Sequence, residues 1–159
     1  MMGRVRAASE RGVHVLRLEG DVRLTMCIAI ERHIQRVLDD PQFLSIWVDL
    51  SEAEGLDSTT LGVLAQLAIQ TEARYGFKPA IYSSSPSIDR LLATMGFAQL
   101  FEMRSGCPEQ RAAQTEIPAV VGTEADMKAH VLAAHRTLMS ISSENKAAFR
   151  DLVRTLEHS

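Results

Sequence analysis

A change of hydrophobic period along the chain limits the possible folds more than any other feature. Val13-His14-Val15-Leu16-Arg17-Leu18 alternates as a strand does, with successive side chains on opposite faces. The weaker run Arg4-Val5-Arg6-Ala7-Ala8 precedes it across Glu10-Arg11-Gly12, the spacing of an antiparallel hairpin. From Thr25 the period lengthens. Met26, Ile30, Ile34, Val37 and Leu38 share one helical face, and Asp39-Asp40-Pro41 closes the segment. Leu44-Ser45-Ile46-Trp47-Val48-Asp49-Leu50 then reads as a short, mostly apolar strand covered on both faces, with Trp47 in the core. A second helix is predicted from Ser58 to Tyr75, ending at Gly76. It is followed by a strand over Lys78–Ser83, a third helix over Ser87–Met95 and a last strand over Leu100–Met103. Strands alternating with helices predict an α/β fold in which helices pack on a mixed sheet.

Beyond Arg104 this pattern stops. Ser105 to Ala119 mixes Gly, Pro and polar residues and reads as a linker. The expected organisation is a domain over 1–104, a linker over 105–122 and a helical extension over 123–159. Thr123 can cap the first helix of the extension, with Asp126 in its acidic first turn. Its stripe is Met127, Val131, Ala134, Leu138 and Ile141, spaced 4, 3, 4 and 3. After Ser142-Ser143 a second helix carries Phe149, Leu152, Val153 and Leu156. A helical hairpin laid against the domain is expected, since about two heptads are too few for a coiled coil. Three roles stay open for it: capping the domain, self-association into a homodimer, or recruitment of a second regulator.

With 46% hydrophobic residues, the chain is not a disordered one. Its 17 basic and 20 acidic residues are spread evenly, which argues against gripping nucleic acid phosphates. Cys27 and Cys107 are too few for a disulfide framework and lack metal spacing; Cys27 falls near an apolar face and Cys107 in the linker. No secretory signal follows Met1-Met2-Gly3-Arg4, and no run approaches the ~18 apolar residues of a membrane span, so a soluble cytoplasmic protein is expected. The G-x-S-x-G elbow, the G-x-x-x-x-G-K-[ST] loop and the G-x-G-x-x-G turn are all absent. His130 and His135 stand about 140° apart on a helix and cannot share a metal facially. His14 and His33 read as structural or solvated, and Ser83-Ser84-Ser85 as turn chemistry. No catalytic residue, metal ligand or cofactor is assigned.

The informative stretch joins Val48-Asp49-Leu50-Ser51 through the acidic connection Glu52-Ala53-Glu54-Gly55-Leu56-Asp57 to Ser58-Thr59-Thr60-Leu61-Gly62-Val63-Leu64. A helix that begins on hydroxyl residues offers unpaired backbone N–H groups and the positive end of its dipole. Asp57 or Ser58 can simply cap it. Equally, a phosphate placed there is an anion the helix start accommodates. Leu61, Leu64, Ala65, Ala68 and Ile69 form the stripe that should face the sheet. Val63 and Leu67 lie about 140–160° from its centre. They form either an apolar docking pair beside Ser58 or a surface covered by the C-terminal hairpin.

Asp49-Leu50-Ser51 and Leu56-Asp57-Ser58-Thr59-Thr60-Leu61-Gly62-Val63-Leu64 together resemble the signature of STAS domains of the anti-sigma factor antagonist type, D-L-S then D-S-S/A-G-L-G-x-L. Leu18-Glu19-Gly20-Asp21-Val22 resembles that family's strand-end turn, and Leu91–Phe97 with Leu100-Phe101 its final helix and strand. Thr60 stands where the family usually has Gly. The resemblance implies a STAS-like mixed sheet packed with helices, with the hairpin as an addition. It further implies a non-enzymatic protein that binds an anti-sigma factor with serine kinase activity. Phosphorylation at Ser58, less favourably at Thr59, would switch that binding off, and a PP2C-type or response-regulator phosphatase would reset it. Asp57, Ser58, Thr59, Thr60, Gly62, Val63 and Leu67 are the expected partner-binding residues. The second reading is a STAS-type accessory or scaffold subunit of a membrane transport complex, using the same surface without phosphorylation.

Overall fold

In the computed structural model, which describes residues 1–110 and 112–159, the chain opens with β1 (Arg4–Glu10) and β2 (Val13–Val22). These pair antiparallel across Arg11 and Gly12, both at positive φ, which gives the two-residue turn its hairpin twist. Then come α1 (Cys27–Leu38), β3 (Ser45–Asp49), β4 (Ala53–Leu56), α2 (Ser58–Tyr75), β5 (Ala80–Ser83) and α3 (Pro86–Thr94). The chain continues with β6 (Glu102–Ser105), β7 (Thr115–Ile117), α4 (Glu124–Ile141) and α5 (Ser143–Glu157). The sheet runs β6-β5-β3-β2-β1-β7, with β4 added beside the end of β2. Its centre is parallel and its β1 side antiparallel, the mixed α/β arrangement expected.

One sheet face carries the core. Leu16, Leu18, Ile46, Val48 and Ile81 are fully buried against α1 and α2, joined by Ile88, Leu92, Phe97 and Phe101. Of the predicted stripe, Ile30, Ile34, Val37 and Leu38 are buried on α1, and Met26 is buried in the short 3-10 turn just before it. The other face departs from the expectation of a strand covered on both sides. Trp47 is only half-buried, edge-on to Tyr82 at 6.3 Å, and lies on the face opposite the buried Ile46 and Val48. Arg17, Asp49 and Tyr82 sit there in register. Arg17 pairs with Glu19 at 2.9 Å and approaches Asp49 at 3.9 Å.

Two strands arise where none was expected. The acidic connection after Ser51 forms β4, parallel to β2 with Val22 opposite Leu56. Within the span read as a linker, β7 pairs antiparallel with β1, with Val5 opposite Ile117. Both are too short to show a period, and their pairing depends on an edge elsewhere in the chain. The last strand of the α/β unit falls at Glu102–Ser105 rather than Leu100–Met103, because Phe97 to Gln99 first make a short 3-10 turn. Cys27 is buried and Cys107 exposed, as read. Burial raises the Cys27 thiol to about 11, aided by Glu31, so it is no ready nucleophile.

The ring of His33, half-buried on α1, is pushed down to about 4 by burial, with repulsion from Arg36 and His14 adding to it. An unfolded imidazole titrates near 6.5. The unfolded chain therefore binds the extra proton between these values, and stability falls as pH drops from about 6.5 toward 4. The urea midpoint should drop between pH 7.5 and pH 5, and His33→Gln should reduce that drop. Equal drops in both proteins would contradict the assignment.

Candidate functional site

The β4–α2 junction positions the site. Asp57 is the N-cap of α2, with extended backbone, and its Oδ1 accepts the Thr60 N–H at 2.9 Å. Its Oδ2 accepts the Leu24 N–H at 2.7 Å, tying the helix start to the turn after β2. The cap is thus Asp57, and Ser58 is left as the first helical residue with its hydroxyl unused by the helix. Thr60 is fully buried and its Oγ1 donates to the Val22 carbonyl at 3.3 Å, so its side chain turns inward. Thr59 is buried as well.

The Ser58 hydroxyl has a partner from far along the chain. Its Oγ lies 2.7 Å from Nε2 of His135 on α4. The other ring nitrogen, Nδ1, is 2.7 Å from the Val131 carbonyl, which can only accept. Nδ1 therefore carries the hydrogen in the neutral ring, and Ser58 donates to Nε2. His135 is 2% exposed and meets Phe149 of α5 edge-on at 5.2 Å.

Helix α4 lies directly on α2. Val63 and Leu67 are 0% exposed, so the expected docking pair is not an open surface. The alternative holds: the hairpin covers them, because burying each such side chain stabilises by about 1.5–3 kcal/mol. Gly62, Thr59 and Thr60 are also buried, so of the expected partner-binding residues only Asp57 and Ser58 reach solvent, each in part. Leu61, Leu64, Ala65 and Ala68 face the sheet as read, whereas Ile69 is 39% exposed. Gly62 marks the closest approach of the two helices. A methyl group there would stand 2.6 Å from the Ala134 Cβ and overlap the Ala134 carbonyl. A mid-helix glycine costs about 1 kcal/mol against alanine, and this packing is the compensation at hand.

Several polar contacts fasten the hairpin. His130 pairs with Glu31 of α1, and Gln66 Nε2 donates to Thr137 Oγ1 at 3.3 Å. Buried Asn145 donates to the carbonyls of Met95 and Leu138, each at 2.9 Å, joining α5 to the end of α3 and to α4. Thr123 and Asp126 form the reciprocal cap that starts α4, and this hydrogen bonding holds Asp126 below the usual carboxylate range. Sequence reasoning set His135 aside after testing it only as a metal ligand. The signal was present: four residues after Val131, it is a polar group beside an apolar stripe. Among the described residues no group of three or more His, Cys, Asp or Glu could hold a metal, and no helix is long and apolar enough to cross a membrane.

Asp57→Ala removes both the cap bond and the tie to Leu24. It should cost about 1–2 kcal/mol in urea denaturation; an unchanged midpoint would show that neither bond contributes.

A family model described as the STAS domain matches residues 4–109. Among solved structures, an anti-sigma factor antagonist from Mycobacterium paratuberculosis is similar at 23% identity and a TM-score of 0.56, covering 65% of this chain and 86% of that one. The unphosphorylated form of the anti-sigma factor antagonist SpoIIAA is similar at 16% identity and a TM-score of 0.53, covering 66% of this chain and 89% of that one. A search of curated proteins finds no match. At these identities the solved structures speak for the fold. The matched family span ends before α4 and α5 begin.

Proposed function

The chain belongs to the STAS-domain family, and on that footing we propose that it is an anti-sigma factor antagonist. In this reading the unphosphorylated protein binds an anti-sigma factor that is also a serine kinase. Phosphorylation at Ser58 ends the binding, and a PP2C-type or response-regulator phosphatase restores it. Transcription is regulated indirectly, through the sigma factor set free. The observation that supports it most is the Ser58 hydroxyl itself: it opens α2, beside a cap already supplied by Asp57, and is not spent on the helix.

The chemistry belongs to the kinase, and the antagonist catalyses nothing. The bond between the β–γ bridging oxygen and the γ-phosphorus of the nucleotide breaks. A bond from Ser58 Oγ to that phosphorus forms, and the hydroxyl proton passes to a base on the kinase. The product carries about −1.5 to −2 of new charge. The α2 N-terminus accommodates it, so the sheet and α2 survive modification. A partner seated over Ser58 meets that charge beside Asp57, with Glu52 and Glu54 exposed on the preceding segment. Losing a buried polar contact at such an interface costs about 2–5 kcal/mol, roughly 30-fold to several-thousand-fold in affinity.

Titration calorimetry against the anti-sigma factor should show Ser58→Ala binding and Ser58→Glu weakened by at least about 30-fold. Mass spectrometry after incubation with that kinase and ATP should place phosphate on Ser58. Equal affinities, or phosphate elsewhere, would refute the switch. Recovery of transporter subunits in place of a sigma regulator would instead favour the accessory-subunit reading.

A further inference from the structure

We infer that the α4–α5 hairpin is an internal occupant of the α2 face, and that its docking and phosphorylation of Ser58 exclude one another. The inference names a regulation of the switch proposed above and rests on that reading for its biological consequence.

With the Ser58 side chain as it stands, its hydroxyl is aimed at a buried ring, and a phosphoryl group on that oxygen meets His135. Ser58 Oγ and His135 Nε2 are already at 2.7 Å, and the ring is held in place by Val131 behind it and Phe149 at its side. Phosphorus and three further oxygens on Oγ would have to enter the space the ring occupies. The ring is 2% exposed with both nitrogens engaged, and the backbone beneath it is held where Ala134, the residue before it, packs against Gly62 of α2. Accommodating the modification therefore means moving α4.

The hairpin is suited to move as a unit. It lies outside the span shared with the family. Its buried residues are few: Ala134, His135 and Leu138 on α4, with Asn145 and Val153 on α5. Elements with few buried contacts open at lower free energy than the core they rest on. Closed, the hairpin masks Val63, Leu67 and most of Ser58. A kinase and a binding partner then both draw on the open fraction, and apparent affinity falls by that fraction. Once phosphorylated, the chain stays open until the phosphate is removed.

Hydrogen exchange followed by mass spectrometry tests this on the full chain, without any partner. Three proteins are compared: unmodified, carrying phosphoserine at position 58 by directed incorporation, and Gly62→Ala. The alanine improves α2 as a helix while its methyl collides with Ala134. Phosphoserine and Gly62→Ala should each lower protection across Glu124–Glu157 by about tenfold or more, with β2 and β3 unchanged. If Gly62→Ala also loosens the sheet, Ala134→Glu provides the release from the hairpin side. Wild-type or greater protection of the hairpin in the phosphoserine protein overturns the inference. So does a hairpin that exchanges as an unstructured chain before modification. Because no partner is present, failure of the antagonist reading would appear in calorimetry and leave these rates untouched.

Discussion

Helix α2 is buried on two opposite sides, and the second burial shapes everything at its N-terminus. Leu61, Leu64, Ala65 and Ala68 anchor it to the sheet, as in any helix laid on a β layer. Val63 and Leu67 are buried on the far side by α4. A helix apolar all round needs two layers to cover it. The hairpin supplies the outer one and so reaches the first turn, where His135 takes the Ser58 hydroxyl. The close approach at Gly62 and the reciprocal cap at Thr123 serve that same placement.

Capping falls to Asp57 and not to the serine beside it. Asp57 satisfies the Thr60 N–H and also holds the turn at Leu24, which leaves Ser58 free of any duty to the helix. A serine that capped α2 itself would cost the fold about 1 kcal/mol whenever its oxygen was altered. With Asp57 in that role, a change at Ser58 is felt by whatever lies over it. In the isolated chain that is His135; in the proposed complex it is the partner. The sheet's open face has a different character. There Arg17 and Arg6 face Glu19 and Asp49 beside Trp47 and Tyr82, and Arg17 also reaches Glu52 on the connection that leads to α2.

Long periodic elements were legible because each carries its own burial pattern. The α1 stripe and the alternation of β2 name their buried faces without reference to the rest of the chain. β4 and β7 were not legible. With four and three residues, they exist because the ends of β2 and β1 offer unpaired backbone groups, a property of distant segments. Trp47 shows the same limit from another side: its apolar run is what a doubly covered strand would have, yet Ile46 and Val48 enter the core and Trp47 stays half-buried on the other face.

At the site, the D-S motif and the hydroxyl-rich helix start were enough to single out Asp57 and Ser58, since capping and helix-end electrostatics are local. The two fates of Val63 and Leu67 could not be separated in one dimension, because an apolar pair off the main stripe reads the same under a hairpin or under a partner. The chain alone therefore determined the α/β plan, the capped junction and the position of the hydroxyl, all of which follow from neighbours within a few residues. Tertiary structure decided what lies over that hydroxyl. Ser58 and His135 are 77 residues apart, and only the seating of α4 on α2, allowed by the missing side chain at Gly62, brings them within hydrogen-bonding distance.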